Sequence, residues 1–243
     1  MNFIECNAEG RFVFVGDTHG DLDASKYVIK NYPEDIKVFL GDYVDKGLHS
    51  KENLDFLFNE REKNPKKIYL LRGNHEIPSK NFSRKYFFWS ELKSKDYKQY
   101  SKIVEDFPLV FSVGKILALH SSLPDIKNLD EINNISSGDE NWAKILWGFV
   151  VSSDYNSFLN KNVPQLNRID FDRIMGQLNK NILIRGHQVV KNPVAFDKRI
   201  LTLFTCSYWR DDIVANIPRR IAIADFDKKR EINSIDDLVI KII

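Results

Sequence analysis

The first third of the chain alternates between short apolar runs and segments with a helical pattern. The apolar runs lie at 11–17 (RFVFVGD), 36–42 (IKVFLGD) and 66–76 (KKIYLLRGNHE), and their length is typical of buried strands. Between them, residues 21–32 and 51–63 carry apolar positions at the spacing of a helix face. Strands that alternate with helices predict βαβ units and a parallel sheet.

The second half contains further strand patterns. Residues 79–107 are predicted to be helical with a buried aromatic face, and 108–120 to form a hairpin that turns at Gly114 and Lys115. Other strands, which we expect to be mainly antiparallel, lie at 181–187, 195–205, 219–227 and 238–243. We therefore expect one domain over residues 1–243, a four-layer α/β/β/α sandwich in which two central mixed sheets are flanked by helices.

Composition limits the classes of partner. Lysine and arginine total 36 against 34 acidic residues, a net charge of +2, so nothing favours binding to nucleic acid or to a membrane surface. The two cysteines, Cys6 and Cys206, are too few for a disulfide framework, and no apolar run approaches the ~18 residues of a membrane span. The N-terminus lacks a signal-peptide pattern, so we expect a cytoplasmic protein, monomeric and with regulatory subunits left open.

Three of the apolar runs end in a glycine turn flanked by residues that can bind metal. The turns are GDTHG at 16–20, GDYVDKG at 41–47 and RGNHE at 72–76. Ligands of open α/β sheets bind outside the carboxyl ends of the strands, so we expect all three turns on one rim. Four of the five histidines follow apolar runs in this way, namely His19, His75, His120 and His187.

These turns contain the donors that two neighbouring divalent cations need. Asp17 and His19 alternate in a segment that we expect to be extended, so both side chains would point to one side. Asp42, after the next strand, can bridge two ions ~3.5–4 Å apart, as two-metal hydrolases require. The second ion would be completed by Asn74, His120 and His187. Nitrogen and oxygen donors without thiolate suit Mn²⁺, Fe or Zn²⁺ and weigh against Ca²⁺.

The blocks GDTHG, GDYVDKG and LRGNHE resemble the signature of the PPP-type serine/threonine protein phosphatases, within the calcineurin-like metallophosphoesterases. The stretches LHSSL, ILWG, IRGHQVV and LTLFTCSYW resemble further blocks of that family in the same order, so the match spans about residues 11–210. The resemblance implies the sandwich fold and hydrolysis of phosphoserine and phosphothreonine in proteins, with hydroxide on a dinuclear metal centre as nucleophile. Manganese is the favoured metal, with iron or zinc as alternatives and two ions per chain.

The resemblance also implies a role for each matching residue. The first metal would be held by Asp17, His19 and Asp42, and the second by Asp42, Asn74, His120 and His187. His75 matches the general acid, with Asp45 orienting its imidazole ring. The residues matched to phosphate binding are Lys46, Asn74, Arg168 (ahead of Arg173) and Tyr208, whereas Arg72 and Glu76 are expected to be structural.

The chain departs from the family pattern at several places, including the region of the second phosphate-binding arginine, where it is shorter. Lys46 stands where the family has arginine, which keeps the charge but loses the bidentate fork, so phosphate should be held less tightly. His-Gly-Gly becomes His-Ser-Ser at 120–122, and the closing loop keeps an aromatic residue, Tyr208, but not the usual Asn-Tyr pair. Substrate and inhibitor preferences therefore do not follow from the resemblance.

Three other functions stay open from the sequence. A diadenosine-tetraphosphate hydrolase shares the first blocks, but such enzymes usually have aspartate at the position of Glu76. A broad-specificity phosphoesterase retains GNHE and is harder to exclude. A non-catalytic binding module should have lost a ligand or His75, yet this chain keeps every one. We therefore expect a protein phosphatase that acts on phosphoproteins or phosphopeptides.

Overall fold

The strands form two large sheets in the computed structural model, which describes residues 1–78, 87–151, 162–207, 218–229 and 231–243. In chain order the strands are β1 Phe3–Cys6, β2 Arg11–Val15, β3 Ile36–Phe39, β4 Ile68–Leu70, β5 Val110–Val113, β6 Ile116–Leu119, β7 Phe149–Val150, β8 Gln165–Leu166, β9 Ile182–Arg185, β10 Val194–Ala195, β11 Ile200–Thr202, β12 Arg220–Asp225 and β13 Val239–Ile242. The α-helices are α1 Leu22–Asn31, α2 Ser50–Lys63, α3 Phe87–Glu91, α4 Ser94–Glu105, α5 Glu140–Trp147 and α6 Arg168–Gln177. Short 3₁₀ helices lie at Asn74–Glu76, Leu129–Asn134 and Ile235–Asp237.

The five-stranded sheet, in the order β13–β12–β2–β3–β4, contains the βαβ units predicted for the first third of the chain. Strands β2, β3 and β4 are parallel and are connected by α1 and α2. Helix α1 begins after Asp21, whose carboxylate accepts a hydrogen bond from Ala24 N and so caps the helix. Strands β12 and β13 add the antiparallel pairs that the alternating pattern predicted.

The six-stranded sheet, in the order β1–β5–β6–β9–β11–β10, mixes parallel and antiparallel pairs. The predicted hairpin is confirmed, because β5 and β6 are antiparallel and Gly114 between them is left-handed at φ 53°. Strands β6, β9 and β11 are parallel, however, since the chain crosses over through α5 and α6 between β6 and β9. The prediction of mainly antiparallel strands therefore fails for this part of the sheet. Strand β1, parallel to β5, lies where the sequence pattern predicts no strand.

Three apolar layers join the sheets and the helices. Side chains of both sheets meet between them, such as the fully buried Phe14 of β2 and Ile184 of β9. A second layer joins the five-stranded sheet to α1–α4, and a third joins the six-stranded sheet to α5 and α6. The predicted four-layer sandwich is confirmed.

The aromatic stretch predicted as helical is described from residue 87 onward. Helices α3 and α4 lie within it, and Phe88 and Trp89 are buried against the five-stranded sheet, as predicted. Residues 79–86 lie outside the described part of the chain. Among the described helices, none has the length and apolar character needed to cross a membrane.

Candidate active site

The turns that follow β2, β3 and β4 meet on one rim of the five-stranded sheet, as the sequence predicted. Thr18 N and His19 N both donate to the carbonyl of Asp42, at 3.1 and 2.8 Å, which joins the first turn to the second. The carboxylate of Glu76, in the third turn, accepts hydrogen bonds from Asp42 N at 2.7 Å and from Tyr43 N at 2.8 Å. Hydrogen bonds to the backbone thus fix the relative position of the three turns.

Glu76 is the brace between the second and third turns. Its carboxylate is fully buried and also accepts a hydrogen bond from Gly73 N at 3.0 Å. Burial raises the pKa of Glu76 to about 7, although the three N–H donors act in the opposite direction. A Cβ at position 73 would collide with the backbone nitrogen and the carboxylate of Asp42, so only glycine allows the two turns to approach. These contacts agree with the structural role predicted for Glu76.

The backbone of the site is left-handed at several residues other than glycine. They are His19 (φ 42°), Asp42 (57°), Asp45 (66°), Lys46 (66°) and His187 (67°). Such conformations cost free energy in residues that carry a Cβ, and they cluster at functional sites. The chain therefore turns at His19, and the prediction of an extended segment from Asp17 to His19 is wrong.

Asp42 lies at the centre of the site and belongs to two groups of possible metal ligands. Its Oδ2 lies 3.6 Å from His19 Nε2 and 3.9 Å from His75 Nε2, and these three residues form the first group. The same Oδ2 lies 3.5 Å from His120 Nε2, and Asp42, His120 and His187 form the second group. A carboxylate oxygen that faces both groups is suited to bridge two cations.

Asp17 and Asn74 complete the cluster. Asp17 Oδ2 lies 3.9 Å from His19 Nε2, and the two carboxylate oxygens accept hydrogen bonds from His187 N at 3.1 and 3.0 Å. Asn74 turns its amide oxygen toward His120 Nε2 and His187 Nδ1, at 2.9 Å from each. The structure thus brings together the six residues predicted as metal ligands, although His19 reaches the site through a turn.

The donor set fits a cation, because lone pairs face one another across the site. His19 Nδ1 and His120 Nδ1 each lie 2.9 Å from a backbone carbonyl, that of Val44 and that of Leu40 respectively. A carbonyl only accepts, so the proton of each neutral ring is at Nδ1 and its Nε2 presents a lone pair to the site. His120 Nε2 then faces the amide oxygen of Asn74 without a proton between them. Buried lone pairs that converge are unfavourable unless a cation joins them.

Burial favours the neutral form of the imidazole rings and opposes ionisation of the carboxyl groups. It lowers the pKa of four rings well below the usual range, those of His19, His75, His120 and His187. It raises the pKa of Asp17 to about 7 and that of Asp42 well above its ordinary value. Neutral imidazole is the form that binds metal, and a cation beside the carboxylates would offset the effect of burial on their charge.

His75 is held by a carboxylate outside the two groups. Its Nδ1 lies 2.8 Å from Asp45 Oδ2, and Asp45 Oδ1 accepts a hydrogen bond from Phe88 N at 2.8 Å. The ring is therefore fixed with its Nε2 toward Asp42. Lys46 is close enough for its positive charge to lower the pKa of His75, in addition to the larger effect of burial. The structure thus places His75, Asp45 and Lys46 at the same site as the metal ligands.

Arg168, predicted to bind phosphate, lies away from this cluster. It donates to Asp172 at 2.6 Å and to Asp197 at 2.9 Å, and its side chain is 41% exposed. Asp197 lies just before β11, whereas Phe204 follows that strand and forms an isolated β-bridge with Asp17. Arg168 is thus paired at the end of β11 that is remote from Asp17. The structure therefore does not bring Arg168 together with the other predicted site residues.

The other arginine considered for phosphate binding does not extend the cluster either. Arg173, on the same helix as Arg168, donates to Asp125 at 2.9 Å and to Asp170 at 3.4 Å. Both arginines of α6 are thus paired with acidic neighbours at the protein surface. Tyr208 lies outside the described residues, and its predicted contact with phosphate stays a prediction.

The two serines that replace glycines after His120 support the loop. Ser121 Oγ donates to the carbonyl of Gly148, and Ser122 Oγ donates to that of Lys144 at 2.9 Å. Ser122 N donates to the same Lys144 carbonyl at 3.1 Å. The hydroxyl groups therefore attach the loop that follows β6 to the end of α5.

Comparisons with known proteins show the family to which this chain belongs. The sequence pattern described as calcineurin-like phosphoesterase matches residues 10–191. Serine/threonine-protein phosphatase PP1-1 of Saccharomyces cerevisiae is 30% identical over 210 residues, which cover 78% of this chain and 67% of the yeast protein. A Caenorhabditis elegans protein named as a serine/threonine-protein phosphatase is 29% identical over 221 residues, 82% of this chain and 59% of that protein. This chain thus spans about three-fifths of the length of the nematode relative.

A solved structure supports the fold. It is a protein serine/threonine phosphatase from Saccharomyces cerevisiae with similarity to human phosphatase PP5, and it superposes with a TM-score of 0.81 at 18% identity. The superposition covers 99% of this chain and 82% of that chain. Together with the sequence match over most of its length, this architecture establishes that the chain belongs to the calcineurin-like phosphoesterase family.

Proposed function

We propose that this chain hydrolyses phosphomonoesters with two divalent cations, and that its substrates are phosphoserine and phosphothreonine residues of proteins. The observation that carries the proposal is the position of Asp42, whose Oδ2 faces His19 Nε2 at 3.6 Å and His120 Nε2 at 3.5 Å. The names of the relatives, which are serine/threonine-protein phosphatases, support the substrate class.

Two sets of ligands would hold the cations, and His75 belongs to neither set. Asp17, His19 and Asp42 would bind the first, and the second would be bound by Asp42, Asn74, His120 and His187. Nitrogen and oxygen donors favour manganese, with iron or zinc as alternatives. When bound, two such cations lower the pKa of water and offset the negative charge of a phosphate dianion.

His75 is suited to give a proton to the leaving group. The alkoxide of serine or threonine leaves poorly unless it is protonated, and a positioned imidazole is the usual proton donor. The carboxylate of Asp45, 2.8 Å from His75 Nδ1, fixes the tautomer and stabilises the imidazolium form. With Nδ1 donating to Asp45, the imidazolium form would carry the proton to be donated at Nε2, on the side of the ring that faces Asp42.

Lys46 is the residue that we assign to the phosphate oxygens. Its positive charge lowers the pKa of both His19 and His75, and the next residue, Gly47, donates from its N–H to the carbonyl of His19 at 2.8 Å. Lysine presents a point charge and rotatable donors instead of a planar fork, which should hold phosphate less tightly than arginine would. Arg168 has no part in the proposal, because Asp172 and Asp197 already pair with its guanidinium.

Metal removal and a substrate comparison test the proposal. Chelation should abolish hydrolysis and Mn²⁺ should restore it at least in part; undiminished activity after verified metal removal would exclude the two-cation proposal. Phosphopeptides, diadenosine tetraphosphate and p-nitrophenyl phosphate should then be compared at equal enzyme concentration. The highest kcat/KM is expected for a phosphopeptide, and a preference for diadenosine tetraphosphate would contradict the assigned substrate class.

A further inference from the structure

Arg185 is a fully buried arginine at the carboxyl end of β9. Its Nε donates to the carbonyl of Ser121, and its Nη1 donates to Gln188 Oε1 at 2.7 Å. Nη1 also lies 3.5 Å from Thr202 Oγ1 on the neighbouring strand β11. A buried guanidinium is costly unless good hydrogen bonds satisfy it, so its location in an otherwise apolar strand suggests a specific role.

The two principal partners of this guanidinium occupy equivalent positions in two loops of the site. Ser121 is the residue after His120, and Gln188 is the residue after His187. The two histidine rings approach one atom, the amide oxygen of Asn74, at 2.9 Å each. One planar group therefore connects the two loops beside both rings.

Gln188 extends this connection to a third element. Its Oε1 accepts a second hydrogen bond, from Val150 N at 2.7 Å, and its Nε2 donates to Val150 O at 3.4 Å. The side chain of Gln188 is buried, so these bonds do not compete with bulk water. The loop that carries His187 is thus held at once by Arg185 and by the backbone of β7.

We propose that Arg185 and Gln188 form a brace that positions His120 and His187 to share one cation with Asp42. Both are positioning residues, and the inference rests on the proposed function of the site. A guanidinium donates in fixed directions within one plane, so it can set the separation of two loops; the rotatable donors of a lysine ammonium cannot. The brace therefore acts directly on the ligands of the second cation, and it reaches those of the first only through Asp42 and through Asp17, which accepts hydrogen bonds from His187 N.

Isothermal titration calorimetry tests the brace: Mn²⁺ is titrated into the chelator-treated protein, and the affinity for each ion is measured. Arg185→Lys keeps the positive charge but removes the planar fork, and Gln188→Leu keeps the guanidinium but removes its second acceptor. Outer partners of metal ligands typically contribute about 10–100-fold in affinity, so we expect one Mn²⁺ to bind that much more weakly in both variants. The other ion should lose less affinity, because its ligands contact the braced loops only through Asp42 and Asp17.

Arg199→Lys is the matched control. Arg199 precedes β11 at the end remote from the site, and it donates to Asn181 O at 3.1 Å and to Asp172 Oδ1 at 2.7 Å. The same substitution there should lower the thermal unfolding temperature without a change in Mn²⁺ binding.

Three outcomes would overturn the inference. The first is wild-type affinity for both ions in Arg185→Lys and Gln188→Leu, measured where both variants are folded. If Arg185→Lys does not fold, Gln188→Leu decides alone, because it leaves the buried charge in place. The second is an equal loss of both ions, which would indicate a general loss of structure. A wild type that binds none of Mn²⁺, Fe²⁺ and Zn²⁺ would overturn the proposed function, and the brace with it.

Discussion

Strand β6 has a buried polar cluster at each end, and the two clusters are satisfied in different ways. Near its amino end, Lys180 Nζ donates to Ser112 Oγ at 2.6 Å, to Gly114 O at 2.8 Å and to Glu5 Oε1 at 3.2 Å. The three N–H groups of the ammonium thus meet three acceptors within the protein. This cluster needs no ligand to be satisfied.

The cluster beyond the carboxyl end of β6 has acceptors that face acceptors. His120 Nδ1 donates to Leu40 O, which leaves Nε2 opposite Asn74 Oδ1 at 2.9 Å and Asp42 Oδ2 at 3.5 Å. Buried polar groups are normally paired, so a cluster of this kind is suited to hold a positive charge. Burial of polar residues alone therefore does not identify a site in this fold, whereas the mismatch of donors and acceptors does.

Replacement of Asp42 should have the largest effect, because this residue faces both groups of ligands. Asp42→Asn keeps the size and one oxygen but removes the negative charge that two cations would share. We expect kcat to fall more than the ~100-fold that loss of an outer partner can cause, with both ions lost. His187→Asn, the comparison variant, should lose only one. Elemental analysis by mass spectrometry alongside kcat checks this, and normal metal content in Asp42→Asn would remove Asp42 from the bridging role.

His75→Asn separates proton donation from metal binding. The variant should retain both ions while kcat for a phosphopeptide falls on the order of 10²–10⁴-fold, the usual contribution of a general acid. The loss should be smaller for an aryl phosphate, because a phenolate leaves without protonation. The structure makes this test necessary, since His75 Nε2 is 3.9 Å from Asp42 Oδ2 and lies within the first group. Loss of metal from the variant would identify His75 as a ligand.

Lys46→Ala tests the assignment of the phosphate contact. A hydrogen bond to a charged group contributes about 1.5–3 kcal/mol, so kcat/KM should fall by about 10–100-fold and inhibition by inorganic phosphate should weaken. Lys46→Arg should tighten phosphate binding if the fork fits the site. Lys51→Ala, which removes an exposed lysine paired with Asp55, is the control and should change neither quantity. Unchanged phosphate inhibition in both Lys46 variants would mean that this residue only supports the turn.

The sequence predicted the cluster well because its residues lie in short turns after strands. A parallel sheet places the ends of β2, β3 and β4 on one rim, so Asp17, Asp42 and Asn74 could be assigned to one site without a structure. The backbone conformation of these turns was harder to predict from the sequence. His19 and Asp42 adopt left-handed conformations that the hydrogen bonds between turns stabilise, and apolar periodicity carries no information about them.

Side-chain contacts between residues far apart in the sequence were the other feature that could not be predicted. The sequence offered Arg168 as a phosphate ligand from its position in the chain, but Asp197, one of its two acidic partners, lies 29 residues away and contributes no local signal. Arg185 did have a signal, a charged residue at the end of an apolar strand and directly before Gly-His-Gln. Its role depends on Ser121, 64 residues earlier, and such a contact becomes visible only when β6 and β9 are paired.

Lys180→Met should have the smallest effect on catalysis. It tests the cluster near the amino end of β6, whose donors and acceptors pair within the protein. Methionine keeps an unbranched chain of similar length but removes the ammonium donor of the buried Ser112 hydroxyl, while the exposed Gly114 and the half-exposed Glu5 can turn to water. We expect a loss of about 1–3 kcal/mol in the free energy of unfolding, the cost of an unsatisfied buried group. Denaturant unfolding measures this loss, and kcat and Mn²⁺ affinity should match the wild type. A change in Mn²⁺ affinity would mean that the two ends of β6 are coupled, and the distinction between a structural and a metal-binding cluster would then fail.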